Sequence, residues 1–470
     1  VAARTLPCLL GLAGTVLAAP GTPSRGPKPA WSYEVAAGPG GRELGVEAQI
    51  EGGVTELTVD DGLGPFVQQA EVERNGGWIA AERRGDRLSV PSCAAGPCRV
   101  RYRFLLEQAV TEVHDRNRAF AQGGALLAPP SSWLARPLVE APGRYRIRVS
   151  TPPGTSFVSG VFPGPEAGTY EAETSDLAEA PYSGFGPFDE SRVPAEEGSV
   201  EVAVAPGDLG VSRAAIDEWA RRAAAAVGGY YGRFPLRRAL VIVLPSNRGR
   251  VGFGTTLGNG GGSIMIWVGR GATSAQLASD WVLTHEMIHL GIPNLPRTHR
   301  WLEEGIATYV EPLARARAGT LPAEEVWAGL VKGLPNGLPE AGDRGLDRTH
   351  TWGRTYWGGA LFCFLADLEI RERTRNRRSL DDALRGILAA GGDIAVSWPL
   401  DRLLREGDRA TGVPVLATLH ARMGAKAEDV DLDALWRRLG VRAAGEEVSF
   451  DDKAPLAAIR RSMTAREREP

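Results

Sequence analysis

The sequence predicts an α+β protein in three parts: an N-terminal antiparallel β domain, a mixed central domain and a C-terminal α-helical domain. Three observations carry this. Short runs with period-two alternation, among them WSYEVAA, ELGVEAQI and YRIRVS, fill the stretch to about residue 175 between Gly, Pro and Asp turns. Helical periodicity and β-branched runs then alternate as far as about residue 310. Beyond about residue 350 apolar residues recur at helical spacing in segment after segment, as in RSLDDALRGILAAGG and DLDALWRRLG.

Residues 1–19, VAARTLPCLLGLAGTVLAA, place one Arg before an apolar stretch from Leu6 to Leu17 and end in small residues. That is the pattern of a signal peptide, so an exported protein, periplasmic or extracellular, is expected. The apolar core is too short to span a bilayer, and no later run reaches 18 apolar residues, so no stable membrane anchor is expected. Residues 20–30 read as a linker rich in Pro and Gly, and residues 31–178 as the β domain. Cys93 and Cys98 flank the turn SCAAGPC, and a small disulfide is expected between them in an exported chain. The chain carries 54 Lys and Arg against 57 Asp and Glu, with formal charge -3 and the basic residues scattered. This excludes an extended nucleic-acid-binding face. Nothing in the pattern bears on the oligomeric state.

The central domain is expected over residues 179–330. A helix from Ser212 to Phe234 buries Ile216, Trp219, Ala223 and Val227, and a strand follows at Ala239–Leu244. The glycine-rich stretch GRVGFGTTLGNGGG reads as a loop before a second strand, Ser263–Val268. It is not a phosphate cradle: G-x-x-x-x-G-K-[ST] is missing, and no Lys occurs between Lys28 and Lys332.

Trp281–Pro312, WVLTHEMIHLGIPNLPRTHRWLEEGIATYVEP, carries the chemistry. His285, Glu286 and His289 form H-E-x-x-H, and residues i and i+4 share a helix face, so both imidazoles can meet one zinc ion with Glu286 beside it as a base. Val282, Leu283, Met287, Ile288 and Leu290 give this helix an apolar face to bury. A catalytic zinc takes three protein ligands, and the candidates for the third are His299, Glu303, Glu304 and Glu311. Pro293 and Pro296 end the first helix, and Trp301 opens a second. There Glu304, Thr308 and Glu311 share a face, Glu303 points about a quarter turn away, and Glu304 is favoured over Glu303 and His299.

HEMIH and WLEEGIATYVEP together resemble the Glu-zincin metallopeptidases, in particular the M1 aminopeptidases, whose second helix carries W-L-x-E-G-x-A-x-Y, and the related M61 glycyl aminopeptidases. The resemblance implies zinc ligands at His285, His289 and Glu304, Glu286 as general base, and a thermolysin-like catalytic domain acting on a peptide or protein substrate. The last strand before the metal helix would then be an exposed edge on which an extended peptide pairs. TYWGGALFCFL is similar to a segment in which a Tyr faces the metal, which implies an oxyanion-stabilising role for Tyr356, with Gly358 where the families have Lys. M1 enzymes also carry G-A-M-E-N, whose Glu holds the substrate's amino terminus. The stretch taken to correspond, GGGSIMIW, has no carboxylate, so the expected activity is zinc-dependent peptide-bond hydrolysis of unspecified cleavage mode. An M1 or M61 aminopeptidase and a binding protein that keeps the fold without turnover are the alternatives.

The helical domain is expected over residues 331–445, with Cys363 a buried thiol and Ser379, three residues before Asp382, an N-cap. Residues 446–470 are polar and are expected to form a flexible tail.

Overall fold

The computed structural model describes residues 30–138 and 142–466. The expected signal peptide and all but the last residue of the linker lie outside these residues. The architecture is mixed α+β, rich in sheet at the N-terminal side and in helix at the C-terminal side.

Seven strands form the largest sheet, in the order Thr169–Glu173, Arg144–Ser150, Trp31–Ala37, Leu44–Ile50, Cys98–Phe104, Val67–Arg74 and Gly77–Ala80. Period-two alternation works as the sequence predicts: Leu44, Val46, Ala48 and Ile50 are buried, whereas the residues between them are half-exposed. The wet face is covered by cross-strand ion pairs such as Arg99 to Glu73 at 2.8 Å and Arg101 to Glu71 at 2.6 Å. One pairing departs from the antiparallel expectation. Trp31–Ala37 lies parallel to Arg144–Ser150, a strand far along the chain and not joined to it by a hairpin. Cys93 and Cys98 are disulfide-bonded, as expected.

A five-stranded sheet underlies the central domain, in the order Asp189–Ala195, Gly198–Val204, Ala239–Ser246, Ser263–Gly269 and Val251–Leu257. Its three inner strands are parallel, and both edges run antiparallel to them. Ala239 to Pro245 is buried throughout, which explains why that strand reads as a continuous apolar run. The helix Arg213–Tyr231 starts where the Ser212 hydroxyl accepts from the Ala215 amide at 3.3 Å and stops at Gly232, whose φ is +79°.

Two expectations change here. The glycine-rich stretch contains the edge strand, Val251–Leu257, and Ser263–Gly269, expected at the edge, is interior. Glycines lower strand propensity, which hid the strand, but at this place they permit close approach: a Cβ on Gly254 would sit 2.4 Å from the Glu286 Cγ. Residues 446–466, expected in a flexible tail, are also ordered. Glu447–Phe450 pairs with Val441–Ala444, and the helix Ala457–Thr464 buries Ile459 and Met463 while Arg460 donates to the Leu439 carbonyl at 3.0 Å. One apolar turn and one buried guanidinium outweigh the polar composition.

A continuous apolar core runs from the central sheet into the C-terminal helices, and the helix Ala323–Gly333 spans the 330/331 boundary expected between them. Behind the site, Arg300–Arg317 crosses Gly359–Arg373 at two glycines. A Cβ on Gly305 would lie 2.3 Å from the Gly359 carbonyl carbon, and one on Gly359 would lie 1.9 Å from the Trp301 carbonyl oxygen. Below the crossing the Tyr309 hydroxyl donates to Asp367 at 2.9 Å, and Asp367 also accepts from Arg371 at 2.9 Å and the Leu380 amide at 2.8 Å. Ser379 caps the following helix with Asp382, as its spacing predicts. Cys363 is buried and unpaired, also as predicted. The glycine crossing predicts that Gly305→Ala lowers stability by about 1–3 kcal/mol in a denaturant titration, because backbone rather than a mobile side chain must move. Gly229→Ala, in a helix with nothing within 4 Å of the added Cβ, should instead raise stability by about 0.5–1 kcal/mol.

Candidate metal centre

The metal helix spans Val282–His289 and buries Leu283, Met287 and Ile288 against the core, which turns His285, Glu286 and His289 toward the cleft. Asp280 fixes its start, accepting from the Leu283 amide at 3.0 Å and from the Trp219 indole at 3.0 Å. The next helix, Arg300–Arg317, brings Glu304 opposite. His285 Nε2 and His289 Nε2 lie 3.5 and 3.6 Å from the same Glu304 oxygen, Oε2. A tetrahedral zinc with bonds near 2.0–2.2 Å has ligand atoms about 3.4 Å apart, so the trio fits that ion.

The other Glu304 oxygen is also held, since Arg300 donates to Oε1 through Nε at 3.2 Å and Nη2 at 3.0 Å. Burial by itself would raise the Glu304 carboxyl, but the two imidazoles outweigh it and hold it well below the usual carboxylate range. For His289, burial acts to lower the pKa, and the Glu304 and Glu286 carboxylates more than reverse this.

The other candidates for the third ligand are engaged elsewhere. Glu303 accepts from the Leu295 amide at 2.8 Å, which ties down the connection between the two helices, and burial pushes its carboxyl up to about 7. Glu311 is buried against Arg315 at 3.0 Å, and burial likewise raises it to about 7. His299 faces Asp347, 2.9 Å away.

Glu286 rests on the edge strand. Thr256 Oγ1 lies 2.5 Å from its Oε2, and Gly254 leaves room for its side chain. Tyr356 sits in a π-helical turn, Arg354–Gly358, that leads into the helix Gly359–Arg373. It faces the same cleft, where burial first and the Glu304 carboxylate second raise its hydroxyl above the ordinary tyrosine value. His285, Glu286, His289, Glu304 and Tyr356 thus line one cleft of about 1240 Å³, with Asn117 of the N-terminal domain on one wall. Sequence reasoning missed Arg300 and Thr256. Arg300 was within reach, because it precedes Glu304 by one helical turn. Thr256 carried no local signal, since its neighbour Glu286 is brought to it only by the sheet.

Neither a protein-family model nor a curated protein matches this sequence. Solved structures do match. An aminopeptidase N family protein from Idiomarina loihiensis is similar over 87% of this chain and 78% of its own, at 14% identity and TM-score 0.65. An M1 zinc metallopeptidase from Deinococcus radiodurans is similar over 85% of this chain and 94% of its own, at 16% identity and TM-score 0.55. A mutant of the latter, solved with a Tyr-Ser-Ala substrate, matches to the same extent.

The fold is that of M1 zinc metallopeptidases.

Within this fold the described edge strand reads VGFGTTL and offers no carboxylate, just as GGGSIMIW does not. What it offers Glu286 is a hydroxyl and a missing Cβ. Gly254→Ala should therefore displace Glu286 and, on the expectation that Glu286 is the general base of a zinc site, lower kcat by about 10-fold to 100-fold with the zinc content measured by mass spectrometry unchanged. Unaltered kcat would show that Glu286 does not depend on this contact.

Proposed function

We propose that this chain is a zinc-dependent peptidase that cleaves at the free amino terminus of peptides. Zinc-dependent hydrolysis rests on one observation: His285 and His289 lie at zinc-ligand spacing from one Glu304 oxygen, with Glu286 of the same helix resting against the edge strand beside them. These three residues would hold the ion. When bound, zinc supplies a Lewis acid that polarises a carbonyl and lowers the pKa of water.

The remaining chemistry belongs to the side chains. Glu286 takes the proton from the attacking water and delivers it to the departing amine. The Tyr356 hydroxyl donates to the oxygen of the tetrahedral intermediate. The edge strand Val251–Leu257 pairs with the backbone of an extended peptide, so binding does not require every side chain to be read. Phe253, Trp281 and Trp352, exposed by 46%, 52% and 65%, rim the cleft and favour substrates with apolar or aromatic side chains. The Cys93–Cys98 disulfide supports export to an oxidising compartment, periplasmic or extracellular.

Action at the amino terminus is favoured by the structural neighbours, one named as an aminopeptidase N family protein and another solved with a tripeptide substrate. A second reading, cleavage without selection for the chain end, is favoured by the edge strand that lacks a carboxylate to hold an amine. Product mapping on matched free and N-acetylated peptide libraries separates them. Single residues released only from free peptides support the first, and equal cleavage of both libraries supports the second.

The roles of Glu286 and Tyr356 yield a paired expectation. Glu286→Gln should keep the wild-type zinc content and lose at least about 10² in turnover. Tyr356→Phe should lower kcat by about 10² with little change in KM, because its hydrogen bond strengthens only as charge develops. Full activity in the first variant would refute the assignment of the base, and in the second that of the oxyanion donor.

A further inference from the structure

Outside the cleft, a second cluster joins three separate segments. His299 precedes the helix Arg300–Arg317, Asp347 lies in the connection after Gly345, and His420 lies on the helix Val415–Met423. His299 Nδ1 is 2.9 Å from Asp347 Oδ1, and His420 Nε2 is 2.9 Å from Asp347 Oδ2. One potential ligand atom from each residue lies within 4.8 Å of the others. The Trp301 indole donates to Asp347 Oδ1 at 2.9 Å, which fixes the carboxylate, and the Asp347 amide donates to the Gly424 carbonyl at 2.9 Å, which fixes its backbone.

We propose that His299, Asp347 and His420 form a second metal site, for a divalent cation of the zinc class, which ties the start of the Glu304 helix to the C-terminal helices.

Two imidazoles and a carboxylate are the donor set that such ions prefer, and Zn, Ni and Cu all accept it. For tetrahedral coordination the two 2.9 Å contacts must open to about 3.4 Å, and the two ring nitrogens, within 4.8 Å of each other, must come to the same separation. Each imidazole then turns a lone pair rather than an N–H toward the centre. The Trp301 indole remains on the carboxylate, as an outer donor commonly does for a metal ligand. The three side chains are exposed by 20%, 20% and 27%, enough for an ion to enter and exchange.

The location gives the ion a consequence. His299 directly precedes Arg300, the residue that grips Glu304, so an occupied second site fixes the turn from which the Glu304 carboxylate is held. The inference draws on residues outside the first trio and stands whether or not the peptidase reading does.

Metal stoichiometry on the full chain tests it. Protein stripped by chelation is dialysed to equilibrium against zinc, and bound metal is counted by mass spectrometry, with cobalt absorption as a second readout of coordination. The expected result is two ions per chain for wild type, one for His420→Gln and one for His289→Ala, with the ion retained in each variant differing in its cobalt spectrum. Asp347→Asn should also bind one ion, but it removes the charge on which the Trp301 indole rests. If it fails to fold, His299→Gln and His420→Gln make the same measurement with the carboxylate kept. The proposal is overturned if wild type binds one ion that His289→Ala loses entirely, while His420→Gln and His299→Gln bind as wild type does. In that case the cluster is a hydrogen-bonded clasp and nothing more.

Discussion

The site depends on how a buried carboxylate is held. Glu304 is 8% exposed, yet one of its oxygens faces two imidazoles and the other receives two N–H groups from Arg300. A buried charge whose partner is removed costs several kcal/mol, so this geometry stands only while both sides of the carboxylate are engaged. Everything around it serves to keep the Glu304 helix in register with the metal helix. The glycine crossing sets how closely it sits on the helix behind, Glu303 fixes the connection in front, and Tyr309 anchors its middle to Asp367.

This explains why WLEEGIATY was the most legible stretch. Trp301 is buried with its indole nitrogen on Asp347, Leu302 and Ile306 enter the core, and Glu303 binds a backbone amide. Glu304 faces the histidines, Gly305 admits the neighbouring backbone, and Tyr309 donates to a buried carboxylate. These residues each answer to a constraint on one helix, and a helix places residues by spacing. Side-chain type and period therefore favour Glu304 on the face toward the histidines, and the same spacing argument reads the H-E-x-x-H face and the Ser379 cap.

Where partners come from distant parts of the chain, spacing says little. The strand Val251–Leu257 reads as a loop because Gly252 and Gly254 weaken strand propensity, and the reason for one of them, the Glu286 side chain, lies some thirty residues on. The C-terminal segment misled in the opposite way. Its composition is polar, but the buried Arg460 spends its charge on the Leu439 and Gly440 carbonyls and on the exposed Asp452, so part of that polarity caps an interior rather than meeting solvent. The parallel pairing of Trp31–Ala37 with Arg144–Ser150 is likewise a property of topology that no local pattern encodes.

Identities of 14% and 16% with proteins of the same fold follow from this division. The long-range demands are on shape: a sheet edge, a crossing distance, a cleft wall that reaches Asn117. Many sequences meet them, because apolar volume and strand alternation can be supplied by interchangeable residues. The demands at the centre are on atoms, since two ring nitrogens and one carboxylate oxygen must approach a single point within a few tenths of an ångström. Only the second kind leaves a mark that a reader of one sequence can recognise. A Gly-rich edge that cradles Glu286 belongs to both kinds: its atoms matter as much as those of the histidines, but its address is given by the sheet. Such a feature becomes visible only when the fold is.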